Sequence, residues 1–109
     1  MTVQEIDVDQ LAERLAAGGR VIDVREPDEY VEGHVPGAVL VPLGTVPDHV
    51  DAFGGEGPTY VICKSGGRSM RACEFLAAQD PGLELVNIAG GTTAWIASGR
   101  DVVEGDQPS

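Results

Sequence analysis

The chemistry of this chain concentrates at Cys63, which follows the run Tyr60-Val61-Ile62 and opens the segment Lys64-Ser65-Gly66-Gly67-Arg68-Ser69. That segment is too small and glycine-rich for strand or helix, whereas Met70 to Leu76 has amphipathic spacing, so the stretch reads as strand, tight loop, helix. Gly66 and Gly67 lack Cβ atoms and can take φ > 0, which lets successive backbone N–H groups curl around one point near the sulfur. A helix beginning near Arg68 or Ser69 aims its unpaired N–H groups and positive dipole end at the same place. A thiolate, being an anion, is favoured there. A cysteine at a helix N-terminus beside Lys or Arg can have its pKa lowered from about 8.5 to roughly 3.5–7.5. Cys63 is therefore predicted to be a nucleophile at neutral pH. The competing reading, a small buried hydrophobe, suits Cys73 on the following helix better, because Cys63 sits where the apolar run stops.

Several elements must hold that loop in place. Asp7 caps a helix whose Val8, Leu11, Ala12 and Leu15 follow i, i+3, i+4, i+7 spacing, with Gln10 at the capping-box position and Gly18-Gly19 at its end. Val21-Ile22-Asp23-Val24 reads as a buried strand interrupted by a carboxylate. Asp23, two residues before Arg25, is most simply a structural pair or an acceptor for loop amides. In the acidic stretch Glu26 to Glu32, read as a solvated surface turn, Pro27 suits a first helical position and Tyr30 faces inward. Gly33 to Ala38 bends the chain into a strand, Val39-Leu40-Val41. Leu43 to Phe53 is predicted as one short helix begun by Pro47, and Leu85-Val86-Asn87-Ile88 as another strand. Gly90-Gly91 turns into a final helix with Trp95 in the core. The helix after Cys63 is expected to bury Met70, Cys73, Phe75, Leu76 and Ala77. Strands alternating with helices give an α/β fold with a mostly parallel sheet of four strands and a short fifth near Ile6. One domain spans residues 1–103, and Glu104 to Ser109 reads as a loose polar tail.

Three stretches in order resemble the single-domain rhodaneses, a sulfurtransferase family. Cys63-Lys64-Ser65-Gly66-Gly67-Arg68-Ser69 is similar to their loop pattern Cys-x-x-Gly-x-Arg-Ser. Ile22-Asp23-Val24-Arg25-Glu26, continuing to Gly33-His34-Val35-Pro36-Gly37-Ala38, and Gly90-Gly91-Thr92-Thr93-Ala94-Trp95 carry the rest. The resemblance runs from about Ile6 to Val103. It implies a three-layer domain and sulfur transfer through a persulfide on Cys63. Lys64, Ser65, Gly66, Gly67, Arg68 and Ser69 would then form the substrate cradle, with Arg68 on the anionic donor and Lys64 at the mouth. The resemblance also implies that Asp23 and Arg25 brace the loop from an adjacent strand and that His34 is architectural. A helix N-terminus activates a thiol without a general base, which also argues against His34 as one.

The totals set bounds on these readings. With 109 residues and 42% hydrophobic content, the chain is expected to fold as one globule with a single core. Met1 to Gln10 carries three acidic residues and no apolar stretch, so it does not read as a signal peptide. No apolar run approaches the ~20 residues of a spanning helix, so a soluble protein is expected. Two cysteines ten positions apart make no disulfide framework, which fits a reducing, cytoplasmic setting. Cys63, Cys73, His34 and His49 show no ligand spacing, so neither metal nor cofactor is expected. The formal net charge of −11 argues against nucleic acid or an anionic membrane as partner. Three of the seven basic residues, Lys64, Arg68 and Arg71, nevertheless fall within eight positions of one another, which suits a small anionic donor such as thiosulfate. Arg71 alone is equally well read as a solvated helix charge.

Other chemistries remain as competitors. Rhodanese-related phosphatases and arsenate reductases carry five residues between Cys and Arg, whereas four stand between Cys63 and Arg68. The smaller ring of amides fits one sulfur atom better than a phosphoryl group. A persulfide relay that takes sulfur from a partner protein and passes it on needs the same cradle as an enzyme that moves it from thiosulfate or another donor to a thiol, cyanide or protein acceptor. A redox-sensing thiol lacks an evident resolving partner, since Cys73 is expected to be buried.

Overall fold

Five strands make one wholly parallel sheet in the computed structural model, which describes residues 3–109. Met1 and Thr2, the first residues of the assigned domain and of the segment read as lacking a leader, lie outside them. The strands are β1 (Gln4–Ile6), β2 (Arg20–Asp23), β3 (Val39–Leu40), β4 (Thr59–Ile62) and β5 (Leu85–Ile88), in the order β1-β5-β4-β2-β3. Helices α1 (Val8–Ala16), α2 (Pro27–Glu32), α3 (Gly67–Gln79) and α4 (Gly91–Ala97) cover the faces. The expected α/β class is observed, with all five strands present.

β4 lies at the centre and β5 beside it, and all four residues of each are buried, as parallel strands covered on both faces require. Side chains alternate along β4. Tyr60 and Ile62 join a core with Leu11, Tyr30, Val86, Ile88 and Trp95, while Val61 and Cys63 join one with Ile22, Phe53, Cys73 and Leu76. That period of two puts the Cys63 sulfur on the α3 side of the sheet, just past the carboxyl end of the central strand. Ligands of open parallel sheets bind at such ends. α1 starts as the sequence predicts: Asp7 accepts from the Gln10 N–H at 2.9 Å, and Gln10 accepts in return from the Asp7 N–H at 3.1 Å.

Three expectations need correction. Leu43 to Phe53 is two 3₁₀ turns, Leu43–Asp48 and Val50–Phe53, with Pro47 inside the first. Proline supplies no N–H and crowds the carbonyl four residues back, so an α-helix cannot run through it, and the shorter i→i+3 bonds take over. On α3, Phe75 is exposed, and Ser69 and Ala72 join Cys73, Leu76 and Ala77 on the buried face. Phe75 stands two positions from Cys73, about 200° around the helix, and so faces solvent. The C-terminal segment is not loose: the Gly105 N–H donates to the Val31 carbonyl and the Gly37 N–H to the Pro108 carbonyl, each at 2.9 Å.

Candidate active site

The chain leaves β4 at Cys63 and curls back so that two donors meet the sulfur. The Gly66 N–H lies 3.1 Å from Sγ and the Ser69 hydroxyl 3.3 Å from it. Gly66 takes φ +107°, a left-handed conformation that turns its N–H inward, and α3 starts at the next residue. Only one of the two glycines needs its freedom. A Cβ on Gly66 would meet the Ile88 carbonyl at 3.4 Å, whereas Gly67 has open space around it and no positive φ.

Cys63 is only 1% exposed, yet its burial does not make it inert. Burial, the largest single influence, pushes the thiol up; hydrogen bonds from the Ser69 hydroxyl and the Ser69, Gly66 and Ser65 N–H groups together pull it below its ordinary value. Cys73 is the contrast, pushed up to about 12 by burial with Glu74 and Cys63 adding to it. Both cysteines are free.

The loop is held from below by the first turn of α4. The Thr92 N–H and hydroxyl both donate to the Cys63 carbonyl, at 2.9 and 3.0 Å, and the Thr93 N–H donates to the Lys64 carbonyl at 3.0 Å. Gly91 permits this approach, because a Cβ there would sit 2.5 Å from the Lys64 carbonyl oxygen and 2.6 Å from that of Cys63. This explains why Gly90-Gly91 opens α4. Asn87 of β5 completes the support, donating to the Gly66 carbonyl at 3.2 Å while its own oxygen lies 2.5 Å from the Ser69 hydroxyl.

Arg68 does not stand free over the sulfur. Its guanidinium makes a two-pronged ion pair with Glu29 of α2, Nη1–Oε1 2.7 Å and Nη2–Oε2 2.9 Å. The Arg68 bond holds the Glu29 carboxyl down to about 2, and Glu29 in turn raises Arg68. Asp23 and Arg25, both buried, pair through Nη2–Oδ2 at 2.8 Å and Nε–Oδ1 at 3.0 Å. Arg25 also donates to the Glu29 and Gly33 carbonyls, so the pair fixes α2, and α2 reaches the loop through Glu29. His34 is fully buried, its ring stacked on Tyr30 and its nitrogens 2.8 Å from the Tyr30 and Gln107 carbonyls. Lys64 and Ser65 are exposed, and Lys64 lines a groove of about 250 Å³ with Glu29, Glu32, Thr93 and Ile96. Among the described residues, no cluster of His, Cys, Asp and Glu is placed to hold a metal ion.

The sequence brought out the loop but not Glu29, Asn87 or Thr92. Asn87 left a trace, an amide inside a buried apolar strand, the same kind of anomaly as Asp23. Glu29 left none, being one acid among several on a short surface helix.

Known proteins share this fold. Residues 7–98 match the model of the rhodanese-like domain, and the chain belongs to that family. It is 34% identical over 103 residues to a sulfurtransferase of Allochromatium vinosum, covering 93% of this chain and 95% of that protein. Thiosulfate sulfurtransferase 16 of Arabidopsis thaliana, a chloroplastic protein, is 37% identical over 98 residues, 78% of this chain and 80% of its own. The crystal structure of a rhodanese-related protein from Thermoplasma volcanium superposes with a TM-score of 0.84 at 32% identity, over 94% of this chain and 99% of that one.

Proposed function

We propose that the protein moves sulfane sulfur through a persulfide on Cys63. The observation that carries this reading is the pair of donors on one sulfur, the Gly66 N–H and the Ser69 hydroxyl, at the mouth of α3. The Cys63 thiolate attacks the outer sulfur of thiosulfate; the S–S bond of the donor breaks and sulfite departs with its electron pair. Cys63–S–S⁻ remains, its charge held by the loop N–H groups and the helix end. An acceptor thiolate or cyanide then attacks the outer sulfur, and the Cys63 thiolate is restored. Lys64, Ser65 and Gly67 border the place where donor and acceptor arrive, and Arg68 binds the anionic end of the donor once it exchanges Glu29 for it. A relative named as a thiosulfate sulfurtransferase supports that donor.

Intact mass before and after thiosulfate tests this. One sulfur atom should be added, lost with reductant, and absent in Cys63→Ser; a wild-type mass that does not change with thiosulfate or with a persulfidated protein donor overturns the reading. A second version, sulfur relay from a protein donor, has one observation behind it: Arg68 is already satisfied by Glu29, which disfavours a free anion. Faster loading from a persulfidated protein than from thiosulfate would select the relay.

A further inference from the structure

Asn87 is a fully buried polar side chain in the apolar strand β5. Its amide nitrogen donates to Glu5 Oε2 at 2.8 Å and to the Gly66 carbonyl at 3.2 Å. A carboxylate and a carbonyl only accept, so both amide protons are committed, and the amide oxygen is the atom that faces Ser69. The Ser69 oxygen lies 2.5 Å from that amide oxygen and 3.3 Å from Cys63 Sγ, and it carries a single proton. The hydroxyl serves one acceptor at a time. While Cys63 is a thiol, Ser69 donates to Asn87 and offers a lone pair to the S–H. Once the sulfur is anionic, the hydroxyl must turn toward it, and the Asn87 oxygen is left buried without a donor.

Resting on the persulfide reading above, we propose that Asn87 is a positioning residue for sulfur transfer: its amide oxygen restrains the Ser69 hydroxyl, whose one proton is divided between Asn87 and the Cys63 sulfur. The restraint has a chemical use. A thiolate stabilised too far is a poor nucleophile, because intrinsic reactivity falls with pKa. Asn87 competes for the one donor that would stabilise it most. On α3 the Arg68 charge interacts with the sulfur directly, while Cys73 stays a neutral thiol. Glu5 of β1 reaches it through Asn87, and the Asp23 carboxylate of β2 acts on the same region through Arg68. Arg68 and Asp23 stay in place when Asn87 is replaced, and the Glu5 link is lost equally with and without the Ser69 hydroxyl, so the cycle cancels it.

The experiment follows Cys63 alkylation by iodoacetamide against pH, read by peptide mass, in a double-mutant cycle of Asn87→Ala and Ser69→Ala. Asn87→Val, better shaped for a strand, repeats the arm. Freed from Asn87, the hydroxyl turns to the thiolate, so the midpoint should fall by about half a unit to one unit. In the Ser69→Ala background the same replacement should leave the midpoint unmoved, which a merely structural role for Asn87 does not predict. A midpoint that stays or rises in both Asn87→Ala and Asn87→Val, or a fall that persists without the Ser69 hydroxyl, overturns the proposal. Alkylation needs no sulfur donor, so failure of the persulfide reading would show in the mass experiment and not here.

Discussion

At the level of single residues, the loop distinguishes two adjacent glycines that look alike in the sequence. Gly66 is in the left-handed region with backbone close by, and Gly67 begins a helix in open space. An alanine at 66 pays about 1–2 kcal/mol for that conformation and draws its N–H away from the sulfur. Gly66→Ala should therefore slow sulfur transfer at least about tenfold, since a hydrogen bond to a charged group is worth about 1.5–3 kcal/mol. Gly67→Ala should change stability by no more than about 0.5 kcal/mol and keep most of the activity. Thermal melts and turnover of the two variants check this, and equal damage from both would refute it. The sequence marks the pair as a turn, but the sign of φ depends on where the helix begins. That start is set by Ile88, Ala89 and Gly90 packing beneath Gly66, a contact more than twenty residues away in the chain.

Among elements, α2 has the least obvious task. Its sequence, acidic and short, reads as a solvated turn, and its N-terminal proline and inward Tyr30 were legible because they are local. Its partner Arg68 lies 39 residues on and was not. The Asp23–Arg25 pair holds α2 by the Glu29 carbonyl and the Gly33 carbonyl at its end, and Glu29 fixes Arg68, so the helix carries a carboxylate to the side chain proposed to bind the anionic donor. Glu29→Gln should release Arg68 and lower the KM for thiosulfate, with a stability loss of about 1 kcal/mol or less for a pair only partly withdrawn from solvent. The pH dependence has a definite sign. The Glu29 carboxyl is lowered from 4.5 to about 2, so the pair's contribution is in full above pH 4.5 and is lost as pH falls toward 2. The difference in Tm between wild type and Glu29→Gln should narrow over that range. A variant with unchanged or raised KM for thiosulfate, measured beside its melts, would show that Arg68 is not withheld by Glu29.

On the scale of the whole molecule, alternation of strands and helices made the α/β class legible, while the C-terminal segment was misread. Composition alone sees Glu104 to Ser109 as polar and unstructured. The structure lays it as a strap across α2 and the turn that follows, the Gly105 N–H donating to the Val31 carbonyl and the Gly37 N–H to the Pro108 carbonyl. Such bonds are made by the main chain and leave no signature in side-chain type. The strap also covers His34, whose Nε2 meets the Gln107 carbonyl inside an otherwise closed site. Removing residues 104–109 takes away that partner and leaves a buried ring nitrogen to water or to nothing, at a cost of about 1–3 kcal/mol. At roughly 4–8 °C per kcal/mol for a domain near this size, Tm should fall by at least about 4 °C. The strap makes none of the bonds to the Cys63 loop described above, so sulfur transfer per folded molecule should stay near wild type. A truncated protein that melts with the full chain would return the segment to the loose tail its composition describes; one that keeps its Tm but loses activity would place the strap at the reacting site instead.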